Sequence, residues 1–274
     1  MNIRIRMVAI DIDHTTITDD HLLLPAVTEA VKKARESGIL VVPATARPPQ
    51  GLGVISDLGI TEPVVCFNGA WTGALQGRAS ELPAVTHILP SAEAAQVVEA
   101  AQALNLNPCW FTSDCMYTLA DGPLVERERR STGVIAQIAD LADIAGQDVL
   151  KVLLLESSGC KAAGLAEEFS ALSFFYSGRA LVEVVDRGVS KQVALTRIAD
   201  EYGFDASEVA MVGDSENDIE AIQWAGLGIA MGNAVPRVLA VADMTVGTNE
   251  QAGVAEALNY IVSRNEKATT RIRS

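Results

Sequence analysis

The sequence predicts an α/β fold: a Rossmann-like parallel-sheet core carrying a second, inserted α+β domain. Three observations carry that prediction. Short apolar runs bounded by turn residues alternate with helical patterns over residues 1–82 and again over 187–274, as expected for a parallel sheet with crossover helices. Over 83–186 the rhythm changes to closely spaced strand pairs, the pattern of an antiparallel sheet. Finally, 274 residues, 49% of them hydrophobic and 20% charged, suffice for a substantial core near the size at which cores divide.

In chain order, buried strands are expected at 7–12, 40–44, 64–67, 209–212 and 227–231, each short and apolar or β-branched. Pro25 opens a helix that Gly38 closes, and Ser190 precedes a helix over 191–202 that Gly203 stops. The inserted segment reads as strand 85–89, a helix from Ala92 after Ser91, then strands 109–112, 116–119 and 150–155. A helix near 161–169 follows, and then strands 173–176 and 181–185 around a turn at Ser177-Gly178. No internal repeat or low-complexity tract is evident.

The net charge of −14 opposes sequence-independent binding to nucleic acid or to an anionic membrane, both of which need surplus Lys and Arg. The short basic tail at 267–273 reads as a solvated terminus. Cys66, Cys109, Cys115 and Cys160 form no CxxC pair and stand near no His-rich cluster, so reduced thiols in a cytoplasmic protein are expected. The N-terminus lacks a secretory pattern, and no uninterrupted run of about 18 apolar residues exists to span a bilayer.

Chemistry concentrates where strands end. Asp11-Ile12-Asp13-His14-Thr15 follows the first strand, at the carboxyl edge where open α/β sheets bind ligands. Alternation along an extended chain puts Asp11 and Asp13 on one side, where two like charges favour a hard divalent cation. By the same alternation, His14 is expected to face away, with an ordinary φ. Gly213-Asp214-Ser215-Glu216-Asn217-Asp218 follows another apolar strand. Here Asp214 is placed to complete a metal site with Asp11, with Asn217 and Asp218 supporting those ligands from behind. Taken singly, these segments also read as a strand-to-loop turn and a helix N-cap. Thr45, after a strand, and Lys191, at a helix start, add a hydroxyl and a charge suited to a phosphoryl group.

With these residues in place, the sequence resembles the haloacid dehalogenase-like superfamily, and within it the Cof-type phosphatases, whose cap is inserted between the second and third motifs. DIDHT resembles the family's DxDGT, ATAR around Thr45 its ATGR, and Ser190-Lys191 its third motif. GDSENDIEAI resembles the fourth motif closely, and CFNGA, AMGNA and TNEQAGVAEAL resemble secondary signatures. His14 and Ala46 stand where the family usually has Gly.

The resemblance implies a Mg²⁺-dependent phosphatase acting through an aspartyl phosphate. It implies Asp11 as nucleophile, Asp13 as general acid and base, and Thr45 and Lys191 on the phosphoryl group. Mg²⁺ would be held by the side chains of Asp11 and Asp214 and the backbone carbonyl of Asp13. Ala46, Arg47 and Asn68 are expected at the substrate, a small phosphorylated metabolite such as a sugar phosphate or a phosphorylated glyceryl-sugar, with the cap setting specificity. A phosphomutase of the same superfamily and a receiver-like phospho-signalling protein are the alternatives. Oligomeric state is left open.

Overall fold

In the computed structural model, the described residues are 3–61, 63–74, 84–155, 162–177 and 181–273, without the side chains of 163, 176, 177 and 269–273. Cys160, the boundary at 82/83 and the turn at Gly178 lie outside them, as does the first residue of the helix expected at 161–169.

The run MVAI forms β1 (Met7–Ile10), buried at all four positions, as a strand covered on both faces requires. Pro25 then sits in the first turn of α1 (Pro25–Glu36), and Lys33 and Arg35 in its last turn suit the negative end of the helix dipole. The chain continues through β2 (Leu40–Pro43), β3 (Val64–Cys66), β4 (Trp71–Gly73) and β5 (Val85–Thr86). Next come α2 (Ser91–Ala103), β6 (Asn107–Phe111), β7 (Met116–Thr118), α3 (Pro123–Thr132) and β8 (Ala136–Ile138). Then β9 (Lys151–Leu155), α4 (Ala163–Glu168), β10 (Leu172–Ser177) and β11 (Leu181–Asp186) lead back. The last part holds α5 (Lys191–Glu201), β12 (Val209–Gly213), α6 (Ile219–Trp224), β13 (Leu227–Ala230), α7 (Pro236–Leu239), β14 (Met244–Thr245) and α8 (Gly253–Arg273).

Five strands form one sheet in the order β14-β13-β12-β1-β2, every neighbouring pair parallel. A parallel bridge between Ala44 and Val65 sets β3 beside β2, and β3, β4 and β5 form a small antiparallel sheet. The third sheet runs β10-β11-β9-β6-β7-β8 and is antiparallel except at β7 and β8, which α3 connects as a parallel pair.

The pleat of this third sheet explains how it meets the rest of the molecule. Cys109, Phe111, Leu153, Leu155 and Val185 join the hydrophobic cluster of the parallel sheet. The alternate residues Trp110, Val152, Leu154, Val182 and Val184 belong to a second cluster, closed by Val97, Ala101 and Leu165 from α2 and α4. One face is therefore turned towards the parallel sheet, and Lys151 and Glu183 fall on it by the same alternation. Cys66, Cys109 and Cys115 are free thiols. Among the described residues no helix is long and apolar enough to cross a membrane.

Candidate active site

Strands β12, β1 and β2 are neighbours, so the loops after them converge on one edge of the sheet. Asp11 is the first residue past β1; its N–H donates to the Val212 carbonyl at 3.0 Å. The chain then closes a wide helical turn over Ile12–Thr16, in which the Ile17 N–H bonds the Ile12 carbonyl at 3.1 Å. This turn overturns the expectation of an extended segment. His14 takes φ 57° and ψ 9°, its side chain bonds Asp19 with Nδ1 2.6 Å from Oδ1, and it lines the cavity described below. The left-handed conformation follows from the turn, which has to bring Thr15 back so that its hydroxyl donates to Asp214 Oδ1 at 2.7 Å.

Lys191 is fully buried at the start of α5, where Ser190 caps the helix by accepting from the Val193 N–H. Its Nζ donates to Asp11 Oδ1 at 2.8 Å and to Asp218 Oδ1 at 2.7 Å. The other oxygen of Asp218 accepts from the N–H groups of Asp214 and Ser215, both at 3.0 Å. Asp218 can approach so closely because residue 213 is glycine: a Cβ there would lie 2.5 Å from the Asp218 carboxyl carbon. The Ser215 hydroxyl in turn donates to Asp214 Oδ2 at 2.9 Å.

After β2, Thr45 is buried and its Oγ1 accepts from the Arg47 N–H at 3.1 Å. The Arg47 guanidinium grips Asp13 with two bonds, Nε to Oδ2 at 2.8 Å and Nη2 to Oδ1 at 2.7 Å. Its Nη1 donates to the carbonyls of Gly51 at 3.1 Å and Ser131 at 2.9 Å, the latter at the end of α3. The Ala46 carbonyl accepts from Lys151 Nζ at 2.9 Å.

Carboxylate oxygens of Asp11, Asp214 and Asp218 lie within 4.8 Å of one another. Three acids face the single ammonium of Lys191, and the shifts follow from that imbalance. Burial, opposed by Lys191 and helped by Asp218 and Asp214, raises the Asp11 carboxyl well above its usual range. Burial and Asp218 push Asp214 up to about 6. Burial disfavours the Lys191 ammonium, but its two carboxylate partners outweigh that and raise its pKa. Asp13 goes the other way: burial would raise it, but the hydrogen bonds and charge of Arg47, with help from His14 and His21, hold it below the ordinary carboxylate range.

These groups open on a cavity of about 390 Å³. The expected residues Asp11, Asp13, Thr45, Ala46, Arg47, Asp214 and Asn217 line it. Lys191 and Asp218 lie directly behind Asp11. Asn68 departs from expectation. It is fully buried and absent from the cavity wall, donating Nδ2 to Glu183 and accepting at Oδ1 from Asn217 Nδ2 at 2.9 Å. Positive φ at both Phe67 and Asn68 turns the chain sharply at that point. The sequence reading missed Glu128, Glu183 and Lys151. The first two line the cavity, and Lys151 bonds Glu183 Oε1 at 3.3 Å. A buried strand with Lys as its first residue, and an acid three positions after Val125 in an otherwise charged helix, were the available signals.

A family model described as haloacid dehalogenase-like hydrolase matches residues 8–258, nearly the whole chain. The chain belongs to this family. Among its relatives, 5-amino-6-(5-phospho-D-ribitylamino)uracil phosphatase YitU of Bacillus subtilis is 26% identical over 266 residues, covering 94% of this chain and 97% of that protein. Pyridoxal phosphate phosphatase YbhA of Escherichia coli is 27% identical over 267 residues, covering 92% and 96%. A solved haloacid dehalogenase-like hydrolase from Bacteroides thetaiotaomicron shares the fold with a TM-score of 0.83 at 24% identity, covering 94% of this chain and 100% of that one. As a haloacid dehalogenase-like hydrolase with such relatives, the chain is a phosphatase.

Proposed function

We propose that this phosphatase hydrolyses a small phosphorylated metabolite, such as a sugar phosphate, through a phosphoryl group carried on Asp11. The observation that carries the reading is the convergence of Asp11, Asp13, Thr45 and Asp214 from three adjacent strand ends on one cavity. Residues 83–186 are taken as the cap, with 1–82 and 187–274 as the core. YitU and YbhA, both named as phosphatases of small phosphorylated compounds, support the substrate class.

The donor set suits Mg²⁺, which prefers carboxylate and carbonyl oxygens and keeps several waters. Asp218 is committed to the Lys191 ammonium and to two backbone N–H groups, whereas Asp214 is held only by the neutral hydroxyls of Thr15 and Ser215, so Asp11 and Asp214 would hold the ion, together with the Asp13 backbone carbonyl. Three carboxylates against one ammonium leave negative charge to neutralise, and Asn217 Oδ1 is a buried acceptor with no partner among the described residues. When bound, Mg²⁺ neutralises charge on the transferring phosphoryl group.

In the first half-reaction, an Asp11 oxygen forms a bond to phosphorus as the ester P–O bond breaks and Asp13 gives a proton to the leaving oxygen. In the second, Asp13 takes a proton from water, whose oxygen bonds phosphorus and frees Asp11 and inorganic phosphate. The pair with Arg47 holds Asp13 ionised before substrate enters. A dianionic phosphoryl group competes for that guanidinium and adds negative charge, which raises the proton affinity of Asp13 for the first step. Thr45 and Lys191 orient and neutralise the group.

Phosphate release should vanish in Asp11→Asn, and also when the divalent metal is chelated. Asp13→Asn should lose about 10²–10⁴-fold in kcat. A metallofluoride analogue should bind over Asp11; binding centred on Asp214 would refute the assignment. Phosphate release without any bisphosphate activator separates hydrolysis from mutase chemistry.

A further inference from the structure

Glu128 lies in α3 with 9% of its surface exposed, and what is exposed lines the cavity from the side opposite the parallel sheet. The other acid on that side, Glu183, is already satisfied by Asn68 and Lys151. Among the described residues no side chain donates a hydrogen bond to the Glu128 carboxyl. With the Glu128 side chain open on the cavity, the donor that it lacks can come from a bound molecule.

The surroundings set what that partner can be. Arg47 is the one Lys or Arg among the described residues that line the cavity, and its guanidinium is committed to Asp13 and to two backbone carbonyls. Asp13, Asp19 and Glu183 line the cavity with Glu128. Ser131 and Thr132 add neutral hydroxyls beside it, and Phe175 and Leu181 add apolar surface. His14 and His21 also line the cavity, but His14 is bonded to Asp19 and His21 stands 3.9 Å from Asp13, so a carboxylate on the far end of a substrate would meet an excess of negative charge, whereas a hydroxyl or ammonium group would supply the missing donor.

We propose that Glu128 is a specificity-determining residue that accepts a hydrogen bond from a hydroxyl or ammonium group on the leaving group, and so excludes phosphate esters whose leaving group carries a carboxylate. This rests on the phosphatase reading above and narrows its substrates to polyol-like and amino-sugar-like esters. Burial, with Glu183 and Asp13 nearby, pushes the Glu128 carboxyl above its usual range against the pull of Lys151 and Arg47, in keeping with an acceptor that gains from a donor.

The test compares kcat/KM within matched pairs on the full chain with Mg²⁺: sorbitol 6-phosphate against 6-phosphogluconate, and glycerol 3-phosphate against 3-phosphoglycerate. The wild-type enzyme should favour the neutral member of at least one pair by about tenfold or more. Glucosamine 6-phosphate against glucose 6-phosphate then tells ammonium from hydroxyl as the better donor. Glu128→Gln, nearly isosteric but uncharged, should draw the neutral-to-carboxylate ratio towards one. Equal or better use of the carboxylate member in both pairs overturns the proposal, as does full discrimination retained by Glu128→Gln. The wild-type ratios need no variant to fold. Acetyl phosphate, whose leaving group is too short to reach the cap, separates the two levels. If it is hydrolysed without preference in either pair, only the Glu128 assignment falls; if nothing is hydrolysed, the phosphatase reading falls with it.

Discussion

Two side chains beside Asp11 show how much depends on single residues. His14 holds φ 57°, a left-handed conformation that costs an ordinary L-residue about 1–2 kcal/mol. His14→Gly and His14→Ala both delete the bond to Asp19, but only glycine relieves the backbone. The glycine variant should therefore unfold at higher urea than the alanine variant, by about 1 kcal/mol after allowing for its looser unfolded chain. Its kcat/KM should stay within roughly tenfold of wild type; a far larger loss with folding intact would put the imidazole on the leaving group. Arg47 gives a pH signature. The pair keeps the Asp13 pKa below its unfolded value, so the stabilisation is present above about pH 4 and fades as pH falls through the lower, folded pKa. Arg47→Gln should cost about 3 kcal/mol near neutral pH, and the gap to wild type should narrow in acid, measured by urea unfolding at pH 7 and 3.5. A gap constant with pH would assign the effect to the carbonyls of Gly51 and Ser131 instead. The placement of Asp11, Asp13, Thr45 and Asp214 at the cavity was legible because each lies within three residues of the end of an apolar strand run. The conformation of His14 and the turn of Asn68 away from the cavity were not, because both depend on positive φ within a loop, which residue type alone does not specify outside glycine.

At the scale of elements, apolar runs locate strands well and their ends less well. The run at 7–12 is strand only over Met7–Ile10, since Ile12 already belongs to the wide turn that carries the site. Helix α3 escaped the reading because its face towards the molecule holds Val125 and Glu128 among exposed charge, too little apolar periodicity to detect. The parallel pairing of β7 with β8 was hidden for the same reason, since α3 is the crossover that makes it. The loop after β12 was legible in type and is testable in detail. Gly213→Ala would drive a methyl into the Asp218 carboxyl, displacing the group that accepts from Lys191 and from two backbone N–H groups. We expect a loss of about 2–4 kcal/mol in stability and a fall in kcat/KM larger than that of Asp218→Asn, which keeps the shape. Equal activity in Gly213→Ala and wild type would show that the loop relaxes without cost.

For the molecule as a whole, the question is what fixes the six-stranded sheet against the parallel one. Apolar packing brings them together, but polar groups set the register: Arg47 reaches the Ser131 carbonyl, Gln50 that of Ser113, Asn68 the Glu183 carboxylate, and Lys151 the Ala46 carbonyl. Lys151 is the most informative of these. It is 2% exposed, its ammonium lies 4.9 Å from the centre of the Phe111 ring and 5.4 Å from that of Phe67, and it neutralises Glu183. Such an ammonium gains little net energy from being buried, because desolvation offsets the attraction. Removing it alone, however, strands a buried carboxylate, at a cost of about 3–5 kcal/mol. Lys151→Met should therefore lower Tm by about 10 °C, taking roughly 2–4 °C per kcal/mol for a chain of this size. The double variant Lys151→Met/Glu183→Gln removes the stranded charge and keeps an acceptor for Asn68, so it should recover at least half of that fall in calorimetry. A double variant no more stable than Lys151→Met would mean that the bond to Ala46 and the contacts with Phe67 and Phe111, rather than charge neutralisation, hold the two sheets in register.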